Sequence, residues 1–201
     1  AISGLIPDGD RILVLEDASE LQLQQRHCVY FETRKPDKNG EGEFSIRDLV
    51  IASLRMRPDR LVIGEIRGGE ALDLLQAMNT GHSGSMSTIH ANSPVDALRR
   101  METCAILSGV ELPLNAVRMQ VASAINCIVH TMRLPDGSRK IVDISEVLPL
   151  KDGEYQTSPL LKWNTRSIAQ DGSVSGDFSL CNKPSFAEDA NIMGLELPKY
   201  E

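Results

Sequence analysis

Residues 60–67 read Arg60-Leu61-Val62-Ile63-Gly64-Glu65-Ile66-Arg67, a short apolar run that closes on Gly-Glu. Such a run predicts a buried strand that carries an acidic side chain to its C-terminal end. A second run, Arg11-Ile12-Leu13-Val14-Leu15-Glu16-Asp17, closes on two carboxylates in the same way. Strands that are apolar on both faces belong to parallel sheets covered by other elements. The chain is thereby constrained to an α/β layering with helices between its strands.

The flanking segments supply those helices. Ser45 followed by Asp48 is a capping-box-like start, and Ile46, Leu49, Val50 and Leu54 then fall on one helical face before Pro58 ends it. A helix is predicted from about Glu70 to Asn79, stopped by Gly81, and a third strand over Gly84–Thr88. Ser93-Pro94 is an N-cap with proline at the first helical position, opening a helix that turns Leu98, Met101 and Ile106 inward. Pro113 starts another, with Ala116, Val117, Val121 and Ala124. His27–Glu32 is a short strand, and residues 33–43, with Pro36, Gly40 and Gly42 among charges, form a loop. This alternation predicts a doubly wound, mostly parallel sheet.

After Asn126 the pattern changes. Residues 126–134, 139–150 and 153–163 read as strands, separated by Asp136-Gly137 and Asp152-Gly153. Asp-Gly between apolar runs marks hairpins, so an antiparallel meander is expected. The expected division is an α/β core over 1–125, antiparallel strands over 126–163 and a weakly ordered tail over 164–201.

A net charge of −7 disfavours a sequence-independent nucleic-acid coat. No run of eighteen apolar residues offers a membrane span, and no charged-then-apolar leader opens the chain. Cys28, Cys104, Cys127 and Cys181 have no Cys-x-x-Cys spacing; they read as free thiols of a reducing compartment, not as a zinc site.

Glu16, Glu65 and His90 all fall at or just beyond predicted strand C-termini, the edge where open α/β sheets bind ligands. One such residue would be structural more often than functional; three on one edge favour a site. Thr88 and Asn92 add polar groups beside His90, as in a phosphate-sensing loop. His82 reads as a solvent-facing turn residue, and a His82/His90 metal pair has no third ligand. Arg55, Arg57, Arg60 and Arg67 surround the central strand. Arg55, Arg57 and Arg67 are candidates to meet transferring phosphoryl charge, and Arg60 is assigned to the surface. In nucleotide-hydrolysing folds a strand-end carboxylate organises Mg2+ and water, yet no Gly-x-x-x-x-Gly-Lys-Ser/Thr phosphate cradle occurs in the 201 residues.

Three blocks together carry a resemblance. Residues 12–21, Ile-Leu-Val-Leu-Glu-Asp-Ala-Ser-Glu-Leu, resemble the aspartate box of the ring-forming ATPases of type II and type IV secretion and pilus assembly. Residues 61–71, Leu-Val-Ile-Gly-Glu-Ile-Arg-Gly-Gly-Glu-Ala, resemble that family's Walker B segment. Residues 84–92, Gly-Ser-Met-Ser-Thr-Ile-His-Ala-Asn, resemble its histidine box. Met56-Arg57-Pro58-Asp59 and Lys183-Pro184-Ser185-Phe186 look familial too, and the tight-adherence pilus and conjugal-transfer branch is the most similar.

The resemblance implies a RecA-like P-loop NTPase core from a hexameric motor, cytoplasmic and peripheral to the inner membrane, using ATP and Mg2+. Glu16 would activate the hydrolytic water, and Asp17 and Glu20 would belong to the aspartate box. Glu65 would hold Mg2+ through water, and His90 would sense the γ-phosphate. Inner-membrane platform proteins are the implied partners, with no direct nucleic acid and no zinc. The family's Walker A strand and loop are expected immediately before Ala1, where Ala1–Pro7 reads as the last turn of a helix. Without that strand, an open slot is expected in the middle of the sheet, and the 201 residues alone are expected to be inactive. A non-catalytic interaction module and a DNA-pumping RecA-like motor are the alternatives.

Overall fold

The computed structural model describes residues 2–198. Within these it contains two compact units, one running up to residue 91 and over 97–124, the other over 92–96 and from 125 onward.

The first unit is built on a four-stranded parallel sheet: β1 (Ile12–Glu16), β2 (Cys28–Glu32), β3 (Arg60–Ile63) and β4 (Met86–Ser87), in spatial order β2-β1-β3-β4. All five residues of β1 are buried, as the continuous apolar run requires of a central strand. Alternation along β1 splits its contacts. Ile12 and Val14 join Val62 and Ile6 on one face, with Leu21 and Leu23 against them. Leu13 joins Leu61, Ala77 and Leu54 on the other. Ala77 comes from α2 (Glu70–Asn79), and α1 (Ile46–Ser53) lies beside it. The helix α1 starts at the full capping box that Ser45 and Asp48 predict.

The expected slot inside the sheet is absent among the described residues. Ile12, Leu13, Val14 and Leu15 of β1 pair directly with Arg60, Leu61, Val62 and Ile63 of β3, so the four strands are contiguous and the unpaired edges belong to β2 and β4. The third predicted strand, Gly84–Thr88, shortens to Met86–Ser87, because Gly84 takes a left-handed φ of 76° and Ser85 turns its hydroxyl to the His82 carbonyl. At the start of the chain a 3-10 turn spans Ile2–Leu5, with Ile6 N donating to Ser3 O at 3.0 Å. Ala1 lies outside the described residues. Two further helices, α3 (Pro94–Ile106) and α4 (Leu114–Ala124), follow the sheet. The Ser93 hydroxyl caps α3 by accepting from Asp96 N at 3.1 Å.

The second unit is an antiparallel sheet of sequential strands: β5 (Cys127–Arg133), β6 (Arg139–Lys151), β7 (Glu154–Ile168) and β8 (Val174–Leu180). The predicted meander is therefore one strand short, and part of the tail expected to be weakly ordered forms regular elements. β7 continues to Ile168, β8 pairs along it from Leu161↔Leu180 to Ile168↔Val174, and a short helix α5 (Ala187–Ile192) follows. Packing explains the added strand. Trp163 and Phe178 meet edge-to-face at 5.1 Å, and Lys140 Nζ lies 4.6 Å above the Trp163 ring. A Cβ at position 176 would come within 2.2 Å of the Asn164 carbonyl, so only glycine lets β8 pass beside Trp163. Beyond β8, buried Glu146 accepts from Ser185 N at 3.0 Å and from the Ser185 hydroxyl, which fixes the approach to α5. The expectation for the last residues, 199–201, lies outside the described residues.

Candidate functional site

The parallel sheet delivers β1 and β3 with their C-terminal ends side by side, so Glu16 and Gly64-Glu65 emerge together. Gly64 N donates to Leu15 O at 2.9 Å, which extends the pairing one residue beyond β3. On the far side, Ile66 N donates to Thr88 O at 2.9 Å and the Thr88 hydroxyl donates to Gly64 O. These bonds bring the segment after β4 to the segment after β3. His90 thereby reaches Glu65.

Glu65 is the hub. Arg67 Nε and Nη2 both reach its Oε2, at 2.7 and 2.5 Å. His90 Nε2 lies 3.2 Å from its Oε1. Arg67 Nη1 also approaches Asp17 Oδ2 at 3.8 Å. The hydrogen bond from Arg67 holds the Glu65 carboxyl below its ordinary range against the opposing effect of partial burial, and the charges of Arg67, His90 and Arg100 add to the lowering. The same pairing raises the Arg67 guanidinium. The result is an ionised carboxylate beside cationic and donor groups, open to solvent through the exposed Arg67 and His90.

Glu16 is 5% exposed, and its carboxylate accepts from the backbone N–H of Glu20 at 3.2 Å and of Leu21 at 3.1 Å. It therefore braces the turn that follows β1. Asp17 is half exposed and its Oδ1 accepts from the Thr33 hydroxyl at 3.3 Å. Glu20 enters this network through its backbone. Glu16, Asp17, Glu65, Arg67, Thr88 and His90 thus share one sheet edge.

The remaining arginines divide. Arg55 and Arg57 are exposed and precede β3, so they lie toward its N-terminal end, opposite to Glu65. Arg57 caps the 3-10 turn Leu54–Met56 with a left-handed φ of 52°. Arg60 is not a free surface residue: its Nε meets Asp10 Oδ2 at 2.6 Å. His82 also departs from the solvent-facing assignment, because its Nδ1 and backbone N both sit on Ala77 O, at 3.1 and 3.3 Å, closing the end of α2.

Sequence reasoning gave Glu70 no role. Its Oε1 accepts from Arg67 N at 2.7 Å and from Gly68 N at 2.8 Å. The available signal was an acidic residue at the first turn of a helix that begins after Gly-Gly.

A family model described as "Type II/IV secretion system protein" matches residues 1–167. Conjugal transfer protein TrbB of Rhizobium radiobacter is 33% identical over 151 residues, covering 75% of this chain and 43% of that protein. Type IV secretion system protein PtlH of Bordetella pertussis is 38% identical over 149 residues, covering 72% of this chain and 44% of that protein. Among solved structures, the VirB11 ATPase from the Brucella suis type IV secretion system, in complex with sulphate, matches with a TM-score of 0.62 and 27% identity. That match covers 72% of this chain and 43% of the VirB11 chain. The chain thus spans less than half the length of these relatives.

Proposed function

Because the chain belongs to the type II/IV secretion system protein family and has its RecA-like fold, we propose that it is the motor core of a ring-forming ATPase that drives protein export or pilus assembly. The observation that carries this reading is the meeting of Glu65 and His90. The two come from segments separated in sequence and share one carboxylate at the C-terminal edge of a parallel sheet, with Arg67 on the other oxygen. Ligands of open α/β sheets bind at that edge.

In this reading Glu65 would hold Mg2+ through a water. Its donor type fits, since Mg2+ takes hard oxygen ligands and keeps several waters. The chemistry supplied by Mg2+, if held there, would be neutralisation of charge on the transferring phosphoryl group. Glu16 would activate the attacking water through a lone pair that its bonds to the Glu20 and Leu21 N–H groups leave open. His90 would read the γ-phosphate, with Thr88 holding the loop behind it. Arg67, already near two carboxylates, would serve the site within its own subunit, whereas the exposed Arg55 and Arg57 suit contact across a ring interface. The ring, six subunits by resemblance, would work in the cytoplasm against platform proteins of the inner membrane. Among the described residues no helix is long and apolar enough to cross a membrane.

The test is nucleotide hydrolysis by a longer protein, made by supplying a phosphate-binding strand and loop ahead of these residues. Mg-ATP turnover that survives intact in Glu65→Gln would end the reading. Loss of turnover with retained ATP binding supports it.

A further inference from the structure

We infer that Glu70 is a positioning residue: by binding the backbone N–H groups of Arg67 and Gly68, it fixes the loop so that the Arg67 guanidinium rests on Glu65. Its service to hydrolysis rests on the function proposed above, whereas the arrangement itself can be tested without nucleotide.

An Arg two residues from a Glu on an exposed loop ordinarily gains little. The pair is screened by water, and holding a long side chain costs rotamer entropy. Arg67 is 66% exposed on its side chain, yet its Nε and Nη2 both reach Glu65 Oε2, at 2.7 and 2.5 Å. Something must preorganise the backbone beneath it, and three anchors do. Ile66 is fully buried and its N–H donates to Thr88 O at 2.9 Å. Glu70 Oε1 takes the next two N–H groups, at 2.7 and 2.8 Å. Gly69 then passes so close to the turn after α3 that a Cβ there would lie 2.7 Å from Ser108 Cα. Of these anchors, only the Glu70 carboxylate acts on the Arg67 peptide itself. It is also charge-assisted, the stronger class of hydrogen bond. Gly69, the N-cap residue, contributes no side-chain cap, so the alternative role for Glu70 is to stabilise the start of α2 and nothing more.

NMR of the Arg67 Nε–H group separates these roles. Its signal, assigned by its loss in Arg67→Lys, is expected to exchange slowly with water in the unaltered chain. In Glu70→Ala that exchange should accelerate on the order of tenfold, the equivalent of one hydrogen bond lost from the closed loop. Glu70→Gln keeps an acceptor oxygen and should restore most of the protection. Asp73→Asn, which breaks the 2.9 Å pair between Arg47 and Asp73 on the same helix, should lower the melting temperature and leave the Arg67 signal unmoved. If Glu70→Ala does not fold, Glu70→Asp withdraws the carboxylate by one methylene and carries the same comparison. Unchanged exchange in Glu70→Ala, or in Glu70→Asp where it stands in for that variant, overturns the inference and leaves a helix cap. So does an equal acceleration in Asp73→Asn. Failure of the longer protein to hydrolyse ATP, with Arg67 still protected by Glu70, would end the proposed function alone.

Discussion

His90 Nε2 stands 3.2 Å from Glu65 Oε1, the oxygen that Arg67 leaves free. Protein groups therefore flank both oxygens of this carboxylate, and a water or ion it serves either takes a lone pair they leave open or exchanges with one of them.

That role sets the first prediction. In the longer protein, Glu65→Gln keeps shape and loses charge, so ATP binding should persist while turnover falls by about 10²–10⁴-fold. Glu16→Gln should lower turnover as well, but it also weakens the bonds to Glu20 and Leu21 N–H and should cost stability. Turnover and melting temperature measured on the same preparations distinguish the two carboxylates. A Glu65→Gln protein with full activity would refute its assignment.

Gly69→Ala should destabilise the chain. Its φ of −61° suits any residue, so the unfolded-state effect alone would favour alanine by roughly 0.4–1 kcal/mol. The added methyl would meet the Ser108 backbone at 2.7 Å, where no side chain can yield, and overpacking of this kind costs about 1–3 kcal/mol. Urea unfolding is expected to show a net loss, and a gain would show that the turn after α3 moves freely.

The elements that were legible in the sequence are those whose signal is local. β1 and β3 are continuous apolar runs closed by carboxylates, and α1 announces itself by Ser45 and Asp48. β8 was not legible because Val174–Leu180 mixes Gly176 and Asp177 with apolar residues, and its strand state comes from pairing with β7 and from the Trp163–Phe178 contact. At the candidate site, the shared edge of Glu16, Glu65 and His90 followed from strand ends. The bracing of the 17–21 turn by Glu16 did not, since a carboxylate that accepts neighbouring N–H groups looks in sequence like one aimed at a ligand.

The α1 capping box should make stability depend on acid. The Ser45 hydroxyl, and then its backbone N–H, donate to the Asp48 carboxylate and hold it below its ordinary value. A folded-state value below the unfolded one, about 3.9 for aspartate, means that the contribution is complete above that pH. It is lost as pH falls through the folded value. Asp48→Asn should therefore be less stable than the unaltered chain near neutral pH, and the difference should vanish in strong acid. Ser45→Ala should cost about 1 kcal/mol at neutral pH. Thermal melts across the acid range check both, and a difference that grows on acidification would contradict the assignment.

Ser185→Ala should loosen the segment that leads to α5. Glu146 is 6% exposed and relies on Ser185 for two donors, one from backbone and one from the hydroxyl. A hydrogen bond to a charged group is worth about 1.5–3 kcal/mol, and the backbone bond remains in the variant. Limited proteolysis is expected to cut residues 182–192 faster while β5–β7 stay resistant. Equal resistance would show that the hydroxyl contributes nothing.

His90 separates a sensor from a strut. Its side chain is 80% exposed and lies beside Glu65, so its removal should leave the core of the parallel sheet intact. In the longer protein, His90→Ala should keep ATP affinity within about one order of magnitude, because a single hydrogen bond to a charged group is worth roughly 1.5–3 kcal/mol and the phosphate loop supplies most of the binding. Turnover should fall much further, since the imidazole joins the segment after β4 to the carboxylate that follows β3. The opposing expectation treats His90 as a brace for the loop that leads to α3, which predicts a lower melting temperature with normal activity per folded molecule. His90→Asn retains a donor of shorter reach and should recover part of the activity only if the contact with Glu65 or phosphate matters. Melting temperature, ATP affinity and specific activity of the three proteins decide the question, and lost stability with intact turnover would end the sensor role.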